Sequence, residues 1–520
     1  MPSDRWRPAA AGLIALYAHV ALGNADPAAS AAAPGTRQTT GPAVEMRLPV
    51  TPPVVTTEPG PQSPETLSGS DAFAEFRHAF DAGKYAAAVP FAHRVLQLAE
   101  AEASTPVDEE VQVALMNLAM TQYLGGDYVG AEASYARAIT VVEASGRPLH
   151  SRLARAYAGL AAAYHETNRH ELAVLNFQHA VALTRRHEGL LTEAQVPLLE
   201  KYVDSLTELG RYPEALQGWK YVMRIATRKH GDNSPALAPT LERIGRWYTQ
   251  VGLYEQARRT LRRAIELVEA AEGEQSPKLI GPLTALAACN RRQLIDPKQD
   301  LFASPDAERA AMYHEPGLGM PGTVSSTALV SEAERALLRA AGIAEARAET
   351  SPVQVADVRT QVGDWYQSRG LAERALPNYQ KAWAAASKVK QEHEGRPIVE
   401  ALFGQPVLLQ IVRPDGWDKF ASRSPEEVET RSVVLELTVN AEGRAEQVKV
   451  IDDSGDERRA QKTTDALQTA RYRPRMQNGT PVATTGISFT QTWILPLPTD
   501  DAAKPSGTKG DGAKKPDAAT

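Results

Sequence analysis

The chain has 520 residues, with 57 Lys and Arg against 63 Asp and Glu, a net charge of -6 and 43% hydrophobic residues. This balance excludes a generally basic nucleic-acid binder, because neutralising phosphates takes a clustered excess of cations. Cys289 is the only cysteine, so an intrachain disulfide, a thiolate zinc site and an iron–sulfur cluster are excluded; it reads as a small buried hydrophobe.

The N-terminus opens with Arg5 and Arg7, then an apolar run over residues 9–23, then the small residues Gly23-Asn24-Ala25. A spanning helix needs roughly 20 apolar residues, so residues 1–25 are expected to be a cleaved export signal. The alternative is an uncleaved membrane anchor. Residues 26–70 are Ala, Pro, Thr, Ser and Gly, including Pro52-Pro53 and Pro59-Gly60-Pro61. Such a segment has too little apolar side chain to offset its ordering entropy, and it reads as a linker. The polar tail 498–520 reads the same way.

Residues 71–390 carry an internal repeat. Gly or Asn, then any residue, then Tyr or His, then Ala three further on, occurs at Gly83, Gly126, Asn168, Gly210 and Gly252, at intervals of 42 or 43 residues. Before each turn, apolar residues recur at helical spacing: Leu115, Leu118, Ala119 and Gln122, then Tyr157, Leu160, Ala161 and Tyr164. After it, Ala131, Tyr135 and Ala138 recur as Ala173, Phe177 and Ala180, and as Ala257, Leu261 and Ala264. Steps of four and three place these on one helix face, and small alanines let two helices approach closely. The Gly or Asn suits a left-handed helix end. Register is lost after Leu283, Leu286 and Ala287, where residues 296–327 read as an inserted loop. Ala333, Leu337 and Ala340 resume it, and a last unit holds Val362, Gly363, Tyr366, Gly370, Ala375, Tyr379 and Ala382. This gives seven units, the sixth interrupted.

The series resembles the tetratricopeptide repeat, whose packing residues match Leu160-Ala161-x2-Tyr164, Ala173, Phe177 and Ala180. The period of 42 in place of 34 resembles the longer repeats of kinesin light chains, as does Gly231-Asp232-Asn233-Ser234-Pro235 before a first helix. The resemblance implies a stack of paired helices with an extended concave surface. The first-helix positions that the family turns inward correspond here to Glu200, Asp204, Glu242 and Arg246, which would suit a peptide of mixed charge.

From about residue 400 the pattern alternates. Val433, Leu435, Leu437 and Val439 share one strand face, Asn440-Ala441-Glu442-Gly443 is a hairpin turn, and Val448 and Val450 continue the buried face. Asp453 or Ser454 is expected to cap a helix to about Ala470 with Ala466 and Leu467 inward. Arg471-Tyr472-Arg473-Pro474 leaves it, Asn478-Gly479 is a tight turn, and Ile487, Phe489, Gln491, Trp493 and Leu495 alternate on a final strand. Residues 400–497 resemble the TonB C-terminal domain through Val439-Asn440-Ala441-Glu442-Gly443-Arg444, Ser454-Gly455, Arg471-Tyr472-Arg473-Pro474, Asn478-Gly479-x-Pro481-Val482 and Phe489-x3-Trp493. That family adds a partner strand to a sheet edge. The corresponding edge here runs from Thr485 to Trp493, with Ser488, Thr490 and Thr492 on its polar face; Thr485 and these three are the candidate partner-binding residues. The expected fold class is mostly α: a tetratricopeptide-type α-solenoid followed by a small α+β TonB C-terminal-like domain.

No catalytic constellation stands out, and no cofactor or metal site is expected. His165-Glu166 and His170 spell part of a metalloprotease motif, but the histidines are five apart where one helix face needs four; the pair reads as surface. Gly317-x-Gly319-x-x-Gly322 spells a dinucleotide loop without the flanking strand and helix that it needs. Arg258, Arg259, Arg262 and Arg263 read as a solvated helix face, and Trp219, Trp247 and Trp365 as packing between repeats. The reading is an exported, periplasmic, non-enzymatic adaptor. It has protein or peptide partners, an outer-membrane transporter among the candidates, and no nucleic-acid partner. The alternative is an inner-membrane-anchored TonB-type energy transducer, although Ala15 stands four residues before His19 where the transducer family has a functional Ser.

Overall fold

A computed structural model describes residues 64–105, 107–146, 151–295, 324–389, 392–393, 396–412 and 428–497. The expected export signal, most of the linker, the Gly317 motif and the tail 498–520 lie outside the described residues. The chain divides into two compact units that part between Ala336 and Leu337.

Seven helix pairs are described: α1 (Gly69–Asp81) with α2 (Tyr85–Glu102), α3 (Glu109–Leu124) with α4 (Tyr128–Ala144), α5 (Ser151–Glu166) with α6 (His170–Glu188), α7 (Val196–Glu208) with α8 (Tyr212–His230), α9 (Ala238–Gln250) with α10 (Tyr254–Glu272), α11 (Ile280–Ile295) with α12 (Ser326–Glu345), and α13 (Pro352–Ser368) with α14 (Ala372–Ala386). In six of the seven pairs the turn between the helices has one cause. Gly83, Gly126, Asn168, Gly210, Gly252 and Gly370 have φ between 57° and 82°, the left-handed region that Gly enters freely and Asn tolerates. The amide one residue later then reaches back five residues to a first-helix carbonyl: Lys84 to Ala79 at 2.9 Å, Arg211 to Leu206 at 2.8 Å, Leu371 to Tyr366 at 2.9 Å. This closure satisfies a carbonyl that the helix end would otherwise leave free. The added length of the repeat also has a place. Helices α6, α8 and α10 each run 19 residues, and each is followed by a short 3-10 turn, such as Pro235–Leu237 and Pro277–Leu279, that buries Leu237 and Leu279.

Between the helices of a pair, size on one side is matched by its lack on the other. A Cβ on Gly245 of α9 would fall 2.5 Å from Leu261 Cγ of α10, and one on Gly363 of α13 would fall 2.3 Å from Tyr379 Cε1 of α14. In the fourth pair the roles invert: Val203 of α7 is large, and Gly218 of α8 faces it with room for no Cβ. Ala131, Ala173, Ala257 and Ala375 are all buried to 1% or less, the close approach that their spacing implies.

The small domain of the second unit follows a hairpin, β1 (Glu392–His393) with β2 (Arg396–Pro397), and a short helix α15 (Ile398–Phe403). Its main sheet has the order β5 (Ala445–Asp452), β4 (Val428–Val439), β9 (Thr484–Pro496), all antiparallel. Helix α16 (Glu457–Gln468) contributes Ala460 and Leu467 to a core with Val433, Leu435, Leu437, Tyr472 and Trp493. Two smaller pairs complete it: β3 (Val407–Gln410) with β6 (Arg471–Arg473), and β7 (Arg475–Gln477) with β8 (Thr480–Val482). Asn478 and Gly479 both have positive φ, 51° and 76°, as a two-residue hairpin of this twist requires.

Several expectations are corrected. Residues 64–70 belong to the fold and not to the linker: Leu67 packs into the first pair's core and the Ser68 hydroxyl caps α1. Helix α12 starts at Ser326, inside the expected loop 296–327. Helix α16 is capped by Asp456, because Ser454 and Gly455 take left-handed φ values of 48° and 77° and cannot begin it. Val450 is 40% exposed: Gln447, at φ 52°, sits between register shifts in the β4–β5 pairing and disturbs the alternation. Strands β3 and β6 to β8 and helix α15 are too short for periodicity to reveal.

Candidate functional site

The first-helix row places Glu200 and Asp204 on α7 and Glu242 and Arg246 on α9, ten and six residues before Gly210 and Gly252. The four do not behave alike. Arg243 Nη1 donates to Glu200 Oε2 at 3.2 Å, and Glu200 keeps only 13% of its side chain exposed. Burial, reinforced by nearby Asp204 and opposed by Arg243, pushes its carboxyl up to about 7. Arg246 donates through Nε and Nη2 to Glu242 Oε1 at 3.1 and 2.9 Å, so these two neutralise one another. Asp204 is exposed and accepts no side-chain hydrogen bond or ion pair among the described residues. The protein around it and Glu208 raise its carboxyl above the usual range, against the opposing pull of Lys201. Exposed and without a side-chain partner, it is the carboxylate of the four that is open to an outside cation.

In the seventh pair the same row position is Asp364, six residues before Gly370. It is 7% exposed and fully engaged. Arg473 of β6 donates to it through Nε at 2.9 Å and Nη2 at 2.8 Å, the fork that matches a carboxylate. Tyr379 Oη donates to Asp364 Oδ1 at 2.9 Å. Sequence patterning did not single out Asp364, whose sole signal was the register that puts it in the same row, and it noted Arg473 only as part of Arg471-Tyr472-Arg473-Pro474, not as the partner of an array residue.

The second surface is β9. It pairs along one side with β4, from Val428 opposite Pro496 to Val439 opposite Thr484, and among the described residues no strand pairs with its other side. Thr485, Ser488, Thr490 and Thr492 are exposed on it, while Gln491, Trp493 and Leu495 are buried. The array row and this edge lie in different units, so they are two surfaces, each complete in itself.

The other candidates are structural. Arg258, expected on a solvated face, is 2% exposed: its guanidinium donates to Glu255 at 2.7 Å and to Gln293. Arg259 and Arg262 do lie outward, paired with Glu255 and Glu332. His165, expected at the surface, is half-buried with Nδ1 2.9 Å from Ser205 Oγ, and its ring meets that of His170 edge-on at 5.2 Å. Burial first, and Lys201 next, lower its pKa to about 4, so it is neutral near pH 7. No group of three potential metal-ligating His, Cys, Asp or Glu occurs among the described residues. Trp219, Trp247 and Trp365 are buried to 5% or less, and Cys289 is fully buried, with its thiol pushed up to about 11 by that burial.

Residues 110–186 and 196–270 match the tetratricopeptide repeat family, and residues 427–494 match the C-terminal domain of the Gram-negative bacterial TonB protein. The helical repeats thus match the tetratricopeptide repeat and the small sheet domain matches the TonB C-terminal domain, two families that are generally non-catalytic. Among solved structures it is similar to the nearly identical TPR-like repeats of a putative kinesin light chain from Podosopora anserina, at 16% identity over 39% of this chain and 98% of that one, with a TM-score of 0.36. It is also similar to the C-terminal part of a TPR repeat-containing protein from Cytophaga hutchinsonii, at 15% identity over 63% and 97%, with a TM-score of 0.35. No curated protein matches. Among the described residues, no helix is long and apolar enough to cross a membrane.

Proposed function

We propose that the protein is an exported, periplasmic, non-enzymatic adaptor that holds two protein partners. The repeat array takes a peptide or protein segment along its first-helix row, where Asp204 offers a carboxylate to a cationic side chain. The TonB-type domain takes an extended segment of a second partner, of the kind found in an outer-membrane transporter, as an added strand on β9. The observation that carries this is the 13-residue β9, hydrogen-bonded to β4 on one side and, among the described residues, without a strand on the other. A backbone edge of that length is a template for another strand: main-chain bonds give affinity and alternate side chains give selectivity.

The test is site-specific photocrosslinking in the native cell envelope from Thr490 and, separately, from Asp204. One envelope protein trapped from Thr490 and a different one from Asp204 is the expected result. Trapping from neither position overturns the reading. Mass spectrometry of the mature N-terminus tests export: a start near Asp26 supports release into the periplasm, and an intact Met1 in the membrane fraction overturns it.

A further inference from the structure

The seventh helix pair differs from the others in what stands on its first-helix row. Asp204 is open and Arg246 is tied to its own helix, but Asp364 holds Arg473, a residue 109 positions further along the chain. The third nitrogen of that guanidinium, Nη1, donates to Leu402 O at 2.6 Å, so one buried side chain joins α13, the end of α15 and β6. Three further contacts surround it. Gln367 Nε2 of α13 donates to Glu442 O in the β4–β5 turn at 2.6 Å, where a Cβ on Gly443 would fall 2.2 Å from the same nitrogen. Tyr379 of α14 meets Phe403 of α15 edge-on, with ring centroids 6.0 Å apart. The β7–β8 turn comes close enough that a Cβ on Gly479 would sit 3.5 Å from Trp383 of α14.

A recognition position filled by an arginine from an extended strand is a bound position. We propose that the seventh helix pair is the seat of the small domain and not a unit open to outside peptide. In this view residues 337–497 work as one cooperative docking module, latched by Asp364, Arg473 and Gln367 as positioning residues. This rests on the row reading given above for the identity of the position, but not on strand docking at β9. One consequence follows: the part of the row open to a partner ends before α13.

Hydrogen exchange followed by mass spectrometry on the full-length protein tests this. In the unaltered chain, buried amides of α13 and those of β3 and β6 should belong to one protection class and open together. Asp364→Asn leaves the arginine buried without its counter-charge, and should speed exchange in α13 and in β3 and β6 alike by about 100-fold or more, with α7 to α10 unchanged. Arg473→Lys keeps the charge but loses the fork and should fall between the two. If α13 retains its protection while the small domain alone loosens, or if the unaltered chain shows the two in different classes, the module does not exist. Partner capture is not read in this assay, so loss of the strand-docking reading would leave the outcome unaffected.

Discussion

Replacing Gly363 with alanine should destabilise the second unit, whereas the same replacement at Gly342 should stabilise it. Both glycines lie in helix interiors, where alanine gains roughly 0.5–1 kcal/mol from the unfolded chain's lost freedom. At Gly342 the new methyl meets nothing within 4 Å, so the gain stands. At Gly363 it would lie 2.3, 2.5 and 3.0 Å from three ring carbons of Tyr379, against the roughly 3.5–4.0 Å at which carbons rest. The ring cannot step aside freely, because it is 1% exposed and its hydroxyl is held by Asp364. Overpacking of this kind costs about 1–3 kcal/mol, and a lost hydroxyl bond adds about 1. The net expectation is about 2 kcal/mol of destabilisation, or roughly 30-fold faster opening. A chain of two units has no single unfolding free energy, so the assay is hydrogen exchange resolved to α12, α13 and α14. Gly363→Ala exchanging no faster than the unaltered chain would refute the packing argument, as would Gly342→Ala exchanging faster.

Other outcomes are expected. Gly210→Ala places a side chain at φ 69° and should cost about 1–2 kcal/mol, read as faster hydrogen exchange in α7 and α8, while Gly210→Asn should cost a fraction of that, since Asn168 already serves at φ 57°; equal losses would contradict the left-handed cap. Cys289 should stay unmodified by a thiol reagent at pH 8 until denaturant is added, being fully buried with a thiol near 11; prompt labelling of the native protein would contradict its burial. Glu200, raised from an ordinary 4.5 to about 7 chiefly by burial, favours folding most when protonated, below about pH 4.5, and that contribution is lost as pH rises through 7. Glu200→Gln should therefore gain on the unaltered chain between pH 5 and 8, by at most roughly 3 kcal/mol; a difference in the protection of α7, corrected for intrinsic exchange, that stays constant with pH would rule this out.

Much of the fold was legible because its determinants are local. A left-handed turn needs Gly or Asn, and two helices in close approach need alanine, so the period shows in single letters at Gly83, Gly126 and Gly210. The sheet's central strands were legible for the same reason: Val433, Leu435, Leu437 and Val439 alternate on a buried face. What could not be read depends on long-range partners. Arg258 and Arg259 look alike in sequence, yet one is buried because Gln293 of the next first helix meets it and the other is not. Nothing local marks Asp364 as the mate of Arg473. Glu200, Asp204, Glu242 and Arg246 were placed on the row by register alone, but only the packed helices distinguish the paired from the open.

That difference has a physical origin. The repeat conserves its inner packing by exchange of volume: Gly245 with Leu261, Gly363 with Tyr379, and the reverse, Val203 with Gly218. Each couple fills the same space between its helices, so the residues that define the unit carry no information about what the unit holds. The row residues differ from pair to pair, from Glu200 and Asp204 to Glu242 and Arg246 to Thr360 and Asp364. Among these positions the carboxylate of Asp204 in the fourth pair is open and that of Asp364 in the seventh is occupied by Arg473. On the reading proposed above, one chemistry of carboxylate and cation would serve both, with a foreign segment at the first and the chain's own β6 at the second.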